Sequence, residues 1–325
     1  VEKKGDYDAK AWDKDLAEWD SFVEKRVQYA IGSQIPVGYW NVWVEPDISG
    51  GSPPWKGTYA QLLELHARTY RIIHLIDPKA KVVGPSVSTF SPRFGTDDSE
   101  VIGIERFITD LNDIYNVRLD AISWHELDPY PEEIPKHAEI LRRFLAAKFP
   151  GYKPELQINE ISEPSYFLNP GWAVAILYYS EKAKIDWFSR ACWWDIPQKG
   201  LAGGLFKPIV NFCWQGLGGL LMPDNKTPQP IYWVHKAYAE MAGKRLFSEG
   251  MQNTIALGSV DENKREIQLI VGRYRHIDWG KTRGEPANVG ILIKNYPFAG
   301  DKVAVAVQNM PSYGRYAGAF ERPIP

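Results

Sequence analysis

Tyr39-Trp40-Asn41-Val42-Trp43-Val44-Glu45-Pro46-Asp47 is the stretch whose reading decides the fold. Its aromatic and β-branched residues predict a short buried strand. Pro46 ends it, because proline has no N–H to offer a ladder. A carboxylate, Glu45, is thereby left at the C-terminal mouth of a strand. In an α/β barrel that mouth is where chemistry is done. A second stretch, Leu156-Gln157-Ile158-Asn159-Glu160, ends in the same way. The functional reading depends on whether these two glutamates face each other.

Outward from this stretch the chain alternates strand and helix. Trp12, Leu16, Trp19, Phe22, Val23 and Val27 recur at three- and four-residue spacing and predict a helix over 12–31, capped near Gly32. Thr58 predicts the N-cap of a helix over 59–76, which Asp77-Pro78 stops. Further strands are expected at Lys81–Pro85, Leu119–His125, Leu156–Glu160 and Arg190–Asp195, and helices over 100–115, 134–149, 171–186 and 230–242. Strand and helix repeat at about 35 residues, which implies parallel strands and right-handed crossovers. Beyond residue 248 the pattern changes to short strands, Thr254–Val260, Glu266–Tyr274, Val289–Lys294 and Lys302–Val307, with a hairpin turn at Asp261-Glu262-Asn263-Lys264.

The expected fold is α/β: a (β/α)8 TIM barrel over 1–247 and a small antiparallel β-sandwich over 248–325. Only about five βα units are visible where a closed barrel has eight. The expectation is therefore a fragment holding about strands 4–8, with strands 1–3 before Val1.

Composition excludes several functions. The 325 residues are 44% hydrophobic and 24% charged with a net charge of −2, ordinary values for a globular protein. They give no electrostatic argument for nucleic acid or an anionic membrane surface. No apolar run approaches the roughly 20 residues of a membrane span. No Cys/His spacing suits zinc, and neither G-x-G-x-x-G nor a Walker A loop occurs. No metal or cofactor is expected. Cys192 and Cys213 are read as buried thiols, with a disulfide as the alternative. Thirteen Trp and seventeen Tyr are the oddity. Such rings fill cores or form platforms for the apolar faces of sugars.

Two strand-end carboxyls suit one chemistry in particular. Hydrolysis of a glycosidic bond with retention needs two carboxyl groups about 5 Å apart, one a proton donor and one a nucleophile. The run of a helix, Trp40–Asp47, a loop, a helix and Asp77–Pro85 resembles the central part of the clan of retaining (β/α)8 glycoside hydrolases, and most of all family 39. The resemblance covers about residues 12–245. In that family the acid/base glutamate ends strand 4 and the nucleophile ends strand 7. The resemblance thus implies Glu45 as acid/base, Glu160 as nucleophile and an oligo- or polysaccharide substrate. Asp120–His125 matches the family's strand 6, whose His or Tyr lines the site, and Gly219–Tyr232 resembles the chain end before its β-sandwich. One residue departs. The clan has Asn before the acid/base, where it bonds the sugar 2-hydroxyl; here Val44 stands, and valine cannot make that bond. A catalytically inactive carbohydrate-binding barrel is accordingly the alternative. Asn41 and Asn159 are the nearby polar residues.

His125, Glu126, Tyr130, Trp43, Trp124, Trp194, Trp214 and Asn159 are the substrate-binding candidates. Each has a plainer reading. A strand-end glutamate can pair with an arginine, and the tryptophans and His125 can be core. Glu163, also followed by proline, rivals Glu160. His66, His74, His137 and His235 fall on helices and are read as surface or packing residues. Glycan hydrolysis implies a secreted or periplasmic protein.

Overall fold

The computed structural model describes residues 16–47, 55, 57–90, 103–128, 130–161, 169–190, 219–221, 226–251, 253–274, 288–300 and 302–310. The chain divides into two compact units, one of 1–128, 133–161 and 182–190, the other of 129–132, 162–181 and 191–325.

The first unit holds β1 (Tyr39–Asn41), β2 (Lys81–Val87), β3 (Ala121–Glu126), β4 (Glu155–Ile161) and β5 (Trp187–Arg190), paired in parallel in chain order. Around them run α1 (Ala17–Gly32), α2 (Tyr59–Ile76), α3 (Ile104–Tyr115) and α4 (Ile134–Lys148). The start of α2 follows from its sequence. Thr58 accepts from the Gln61 N–H while the Gln61 side chain accepts from the Thr58 N–H, a capping box. Trp19 of α1 donates its indole N–H to Thr69 of α2 (2.7 Å), joining the two helices. His66 of α2 is wholly buried against β2, and a Cβ on Gly84 would lie 2.9 Å from its Nε2. Glycine is what lets helix and strand close there.

The sheet is curled. Four ladder steps in a flat sheet would hold its first and last strands about 19 Å apart. Yet the rings of Tyr39 in β1 and Trp187 in β5 lie 6.3 Å apart. Lys81 of β2 pairs with Glu155 of β4 and sets its ammonium 5.3 Å from the Tyr39 ring. All four residues begin their strands, so they fill the concave side at its N-terminal end. Mixed α/β with a curled, all-parallel half-barrel is the architecture of this unit.

The second unit has a separate antiparallel sheet of β6 (Lys244–Leu246), β7 (Thr254–Asp261) and β8 (Glu266–Arg273). β7 and β8 form a hairpin across the expected turn at 261–264. α5 (Pro170–Lys182) packs on β8, where Gly272 makes room for Val174. α6 (Pro230–Glu240) is tied to α5 by the Tyr238 hydroxyl donating to Glu181 (2.7 Å).

Several elements differ from expectation. The strand read over 39–45 stops at Asn41, and its ladder residues are largely exposed, with burial beginning at Val42 and Trp43. The strand expected at 190–195 begins at Trp187, because Lys184 at φ +51° ends the preceding helix early and Asp186 caps the Leu156 N–H. Residues 191–195 lie outside the described residues. Val289–Lys294 forms no strand, and Lys302–Val307 contributes one bridge residue, although both have strand-forming side chains. Those side chains are solvent-facing, with Leu292 79% exposed, and β propensity without a packed face does not make a ladder. The short β6 was not expected at all. Cys192 and Cys213 lie outside the described residues.

Candidate active site

The concave face is read from its contacts. Ser123 and His125 alternate on β3, so both point the same way. Ser123 meets Ser86 of β2 (2.8 Å), and His125 meets Glu45. Trp124 and Glu126 take the opposite face, where Glu126 accepts from His137 of α4 (2.7 Å). The concave side thus carries Ser123 and His125, and the helix side carries Trp124 and Glu126.

Two β-bulges then shape the mouth. Between β2 and β3 the register steps from Pro85↔Ser123 to Val87↔Trp124, leaving Ser86 unpaired. Between β3 and β4 it steps from Trp124↔Ile158 to His125↔Glu160, leaving Asn159 unpaired. An extra residue lets neighbouring side chains share a face that alternation would separate. Asn159 and Glu160 therefore both reach the concave side, as Asn159 Nδ2 donating to Ser86 Oγ (2.7 Å) and Glu160 facing His125 show.

Glu45 arrives by a different route. Its ladder has ended, its φ is +49°, and its N–H donates to the Ser86 carbonyl (2.9 Å). A left-handed backbone at a non-glycine residue costs about 1–3 kcal/mol and persists where the surroundings over-determine it. Two residues on, buried Asp47 supplies part of that restraint. It accepts from the Ser88 N–H (2.9 Å) and the Ser88 hydroxyl (2.8 Å), fastening the loop to the end of β2. Burial pushes the Asp47 carboxyl up against the pull of those bonds, and the charge of Glu45 pushes the same way.

These restraints bring Glu45, His125 and Glu160 together. His125 Nδ1 is 3.0 Å from Glu45 Oε1 and 3.8 Å from Glu160 Oε2, and one ligand atom of each of the three lies within 4.8 Å of the others. Carboxylates only accept, so Nδ1 carries the hydrogen. Nε2 is buried with no partner among the described residues. Burial raises the Glu160 pKa above the usual glutamate range, His125 opposes the rise, and the Glu45 charge adds to it. Among the described residues this is also the one group spaced to hold a metal ion.

No family model matches the chain, and no curated protein sequence does. Solved structures do. N2152 from Neocallimastix frontalis matches with a TM-score of 0.61 at 20% identity, over 80% of this chain and 58% of that one. A glucosidase from Croceicoccus marinus matches at 0.60 and 21% identity, over 80% and 54%. A GH39 β-xylosidase from Caulobacter crescentus matches at 0.52 and 17% identity, over 75% and 54%. The fold is that of GH39 β-xylosidases and related glycosidases. The chain spans a little over half the length of these structures.

Set in that fold, the candidates separate. Glu45, Glu160, His125 and Asn159 meet on the concave face. Trp124 does not join them: it is wholly buried, and its indole donates to Glu126 (2.6 Å). Glu126 is a helix-side carboxylate bound by Trp124 and His137, so alternation excludes it from the site. Trp43 is core, packed between Trp19 (6.1 Å, tilted) and Trp55 (5.3 Å, edge-on). Tyr130 is exposed and belongs to the second unit. Trp194, Trp214 and Glu163 lie outside the described residues. Ser86 and Asp47 were missed. The Glu-Pro-Asp spacing could have drawn attention to Asp47; no sequence signal marks Ser86.

Proposed function

We propose that this chain carries the catalytic pair of a retaining glycoside hydrolase. The observation that supports this best is the approach of Glu45 and Glu160 carboxylate oxygens to within 4.8 Å on the face where the strands end. Retention calls for carboxyl groups about 5–5.5 Å apart, inversion for about 6.5–9.5 Å. Glu160 attacks the anomeric carbon while Glu45 protonates the leaving oxygen. Glu45 then takes a proton from water, which displaces Glu160 and restores both groups. His125 holds Glu45 through its Nδ1–H and faces Glu160, so it accompanies the charge on either carboxylate. Burial raises the Glu160 carboxyl, the charge of Glu45 adds to the rise, and His125 opposes it, which favours the ionised nucleophile.

The same reading completes the half-barrel to eight strands with further βα units and pairs the antiparallel sheet into a sandwich. An exported protein acting on oligo- or polysaccharides follows from it. Xylosides and glucosides are the first substrates to try, after the enzymes whose fold it shares. The test is hydrolysis of aryl glycosides by the full-length protein, with the first-formed anomer observed by NMR and Glu160→Ala as control. Activity surviving in Glu160→Ala would remove Glu160 as nucleophile.

Val44 motivates a second reading, a barrel that binds sugar without cleaving it. With valine at 44, a sugar 2-hydroxyl loses the partner that the resemblance implies there. Saturable oligosaccharide binding without turnover, in a protein that keeps its fold, would favour this reading over hydrolysis.

A further inference from the structure

Ser86 stands where both sides of the candidate site are fastened. Its side chain is wholly buried and its φ is +55°. Its hydroxyl lies 2.7 Å from Asn41 Oδ1, 2.8 Å from Ser123 Oγ and 2.7 Å from Asn159 Nδ2. A hydroxyl has one hydrogen and two lone pairs. The hydrogen goes to Asn41 Oδ1, an acceptor only. One lone pair takes the Asn159 amide, and the other takes the Ser123 hydroxyl. Every slot is filled, so the group has one orientation and ties four successive strands in one layer.

Two of its bonds bear on the glutamates. The Ser86 carbonyl accepts the Glu45 N–H (2.9 Å), and the Ser86 hydroxyl accepts from Asn159, the neighbour of Glu160. One bulged residue in β2 thus holds the backbone under Glu45 and, through the bulge in β4, the backbone under Glu160. We infer that Ser86 is the positioning residue that sets the separation of the two carboxylates. The inference rests on the hydrolase reading for its kinetic consequence, but not for its geometric one.

Both consequences are measurable in the full-length protein. Ser86→Ala and Ser86→Gly lack the hydroxyl, and only the latter relieves the left-handed backbone. Both are expected to lose about tenfold to a hundredfold in kcat, the scale of a 1 Å misplacement, with KM nearly unchanged. Moving the carboxylates apart weakens the push of the Glu45 charge on the raised Glu160 carboxyl, so Glu160 titrates at lower pH and the limb of kcat/KM that follows it moves down. A merely structural loss would lower the rate and leave the limb in place. Asn159→Ala is expected to reproduce the effect, and the double variant to be no worse than either single one. Carboxyl titration of 13C-labelled glutamates reads the same shift without any substrate. A wild-type protein that cleaves no glycoside would sink the hydrolase reading alone. Glutamate titrations identical in wild type and Ser86→Gly would overturn the role of Ser86, whether or not Ser86→Ala folds.

Discussion

His125 donates its Nδ1 hydrogen to Glu45 across 3.0 Å with its whole side chain buried. The same nitrogen faces Glu160 at 3.8 Å, and its influence lowers the Glu160 pKa against the rise caused by burial. Replacing His125 with Gln removes that opposition. The nucleophile must be ionised to attack, so its further-raised pKa moves the acidic limb of kcat/KM to higher pH. The expected loss at the optimum is about tenfold to a hundredfold, as for a misplaced catalytic group. A pH–rate profile over the acidic limb checks the sign; a limb that stays still or moves to lower pH defeats the prediction.

Glu160 offers a test that separates stability from activity. Its folded pKa is raised, so the fold favours the protonated form. That contribution is present below the usual glutamate range and is lost as pH rises through the folded value. At neutral pH the wild type therefore carries a cost that Glu160→Gln removes. The variant is expected to lose at least about a thousandfold in kcat while its unfolding midpoint rises. The gain should be present at pH 7 and vanish in acid. Glu45→Gln should show less of this signature, because its amide oxygen still accepts from His125 but the bond loses its charge. Thermal unfolding of the three proteins at two pH values decides the matter.

The divergence between expectation and structure follows the same physics. The order of strands and helices was legible because βα units advertise themselves twice, by apolar period and by stop residues such as Asp77-Pro78. Glu45 and Glu160 were legible because each ends an apolar run. The faces were not. Strand alternation alone cannot say which face of β3 is concave, so Trp124, Glu126 and His125 looked equivalent until Ser123 and His137 separated them. Nor does alternation foresee a bulge. Asn159 and Glu160 share a face only because the β3–β4 register slips by one residue, which is a property of the pairing and not of either strand. Ser86 was silent for the same reason.

The spacing of the three groups also predicts a response to metal. A tetrahedral zinc ion would want ligand atoms about 3.3 Å apart at bond lengths near 2 Å. His125 and Glu45 stand at 3.0 Å, and the third carboxylate is within 4.8 Å of both. Zinc is expected to bind and block hydrolysis, whereas retention through two carboxyls asks for no metal, so EDTA should leave activity unchanged. Ligands must lose their protons to bind, so inhibition should weaken as pH falls. Zinc titration by calorimetry, with His125→Gln and Glu160→Gln, checks it: binding that persists in both variants places the ion elsewhere.

A last prediction concerns His66, far from the chemistry in role but bound to the sheet that supports it. It is wholly buried, with Nδ1 2.8 Å from the Leu62 carbonyl, Phe107 edge-on at 4.9 Å and Gly84 against Nε2. Burial drives its pKa down from 6.5 to about 4. Its neutral form is the one the fold accepts. Above pH 6.5 neither folded nor unfolded chain binds the proton. As pH falls from there, the unfolded chain takes the proton first, and stability drains until the folded value near 4 is reached. The whole effect is on the order of 3 kcal/mol. His66→Gln keeps a polar side chain of similar reach and cannot titrate. The difference in unfolding free energy between wild type and variant, measured by urea denaturation, should then fall steadily with acidity across that window and level off below it. Other carboxylates titrate there too, but they do so in both proteins and cancel in the difference. A difference independent of pH would mean that His66 is protonated in the folded chain, and its place under Gly84 would then need an acceptor for Nε2–H.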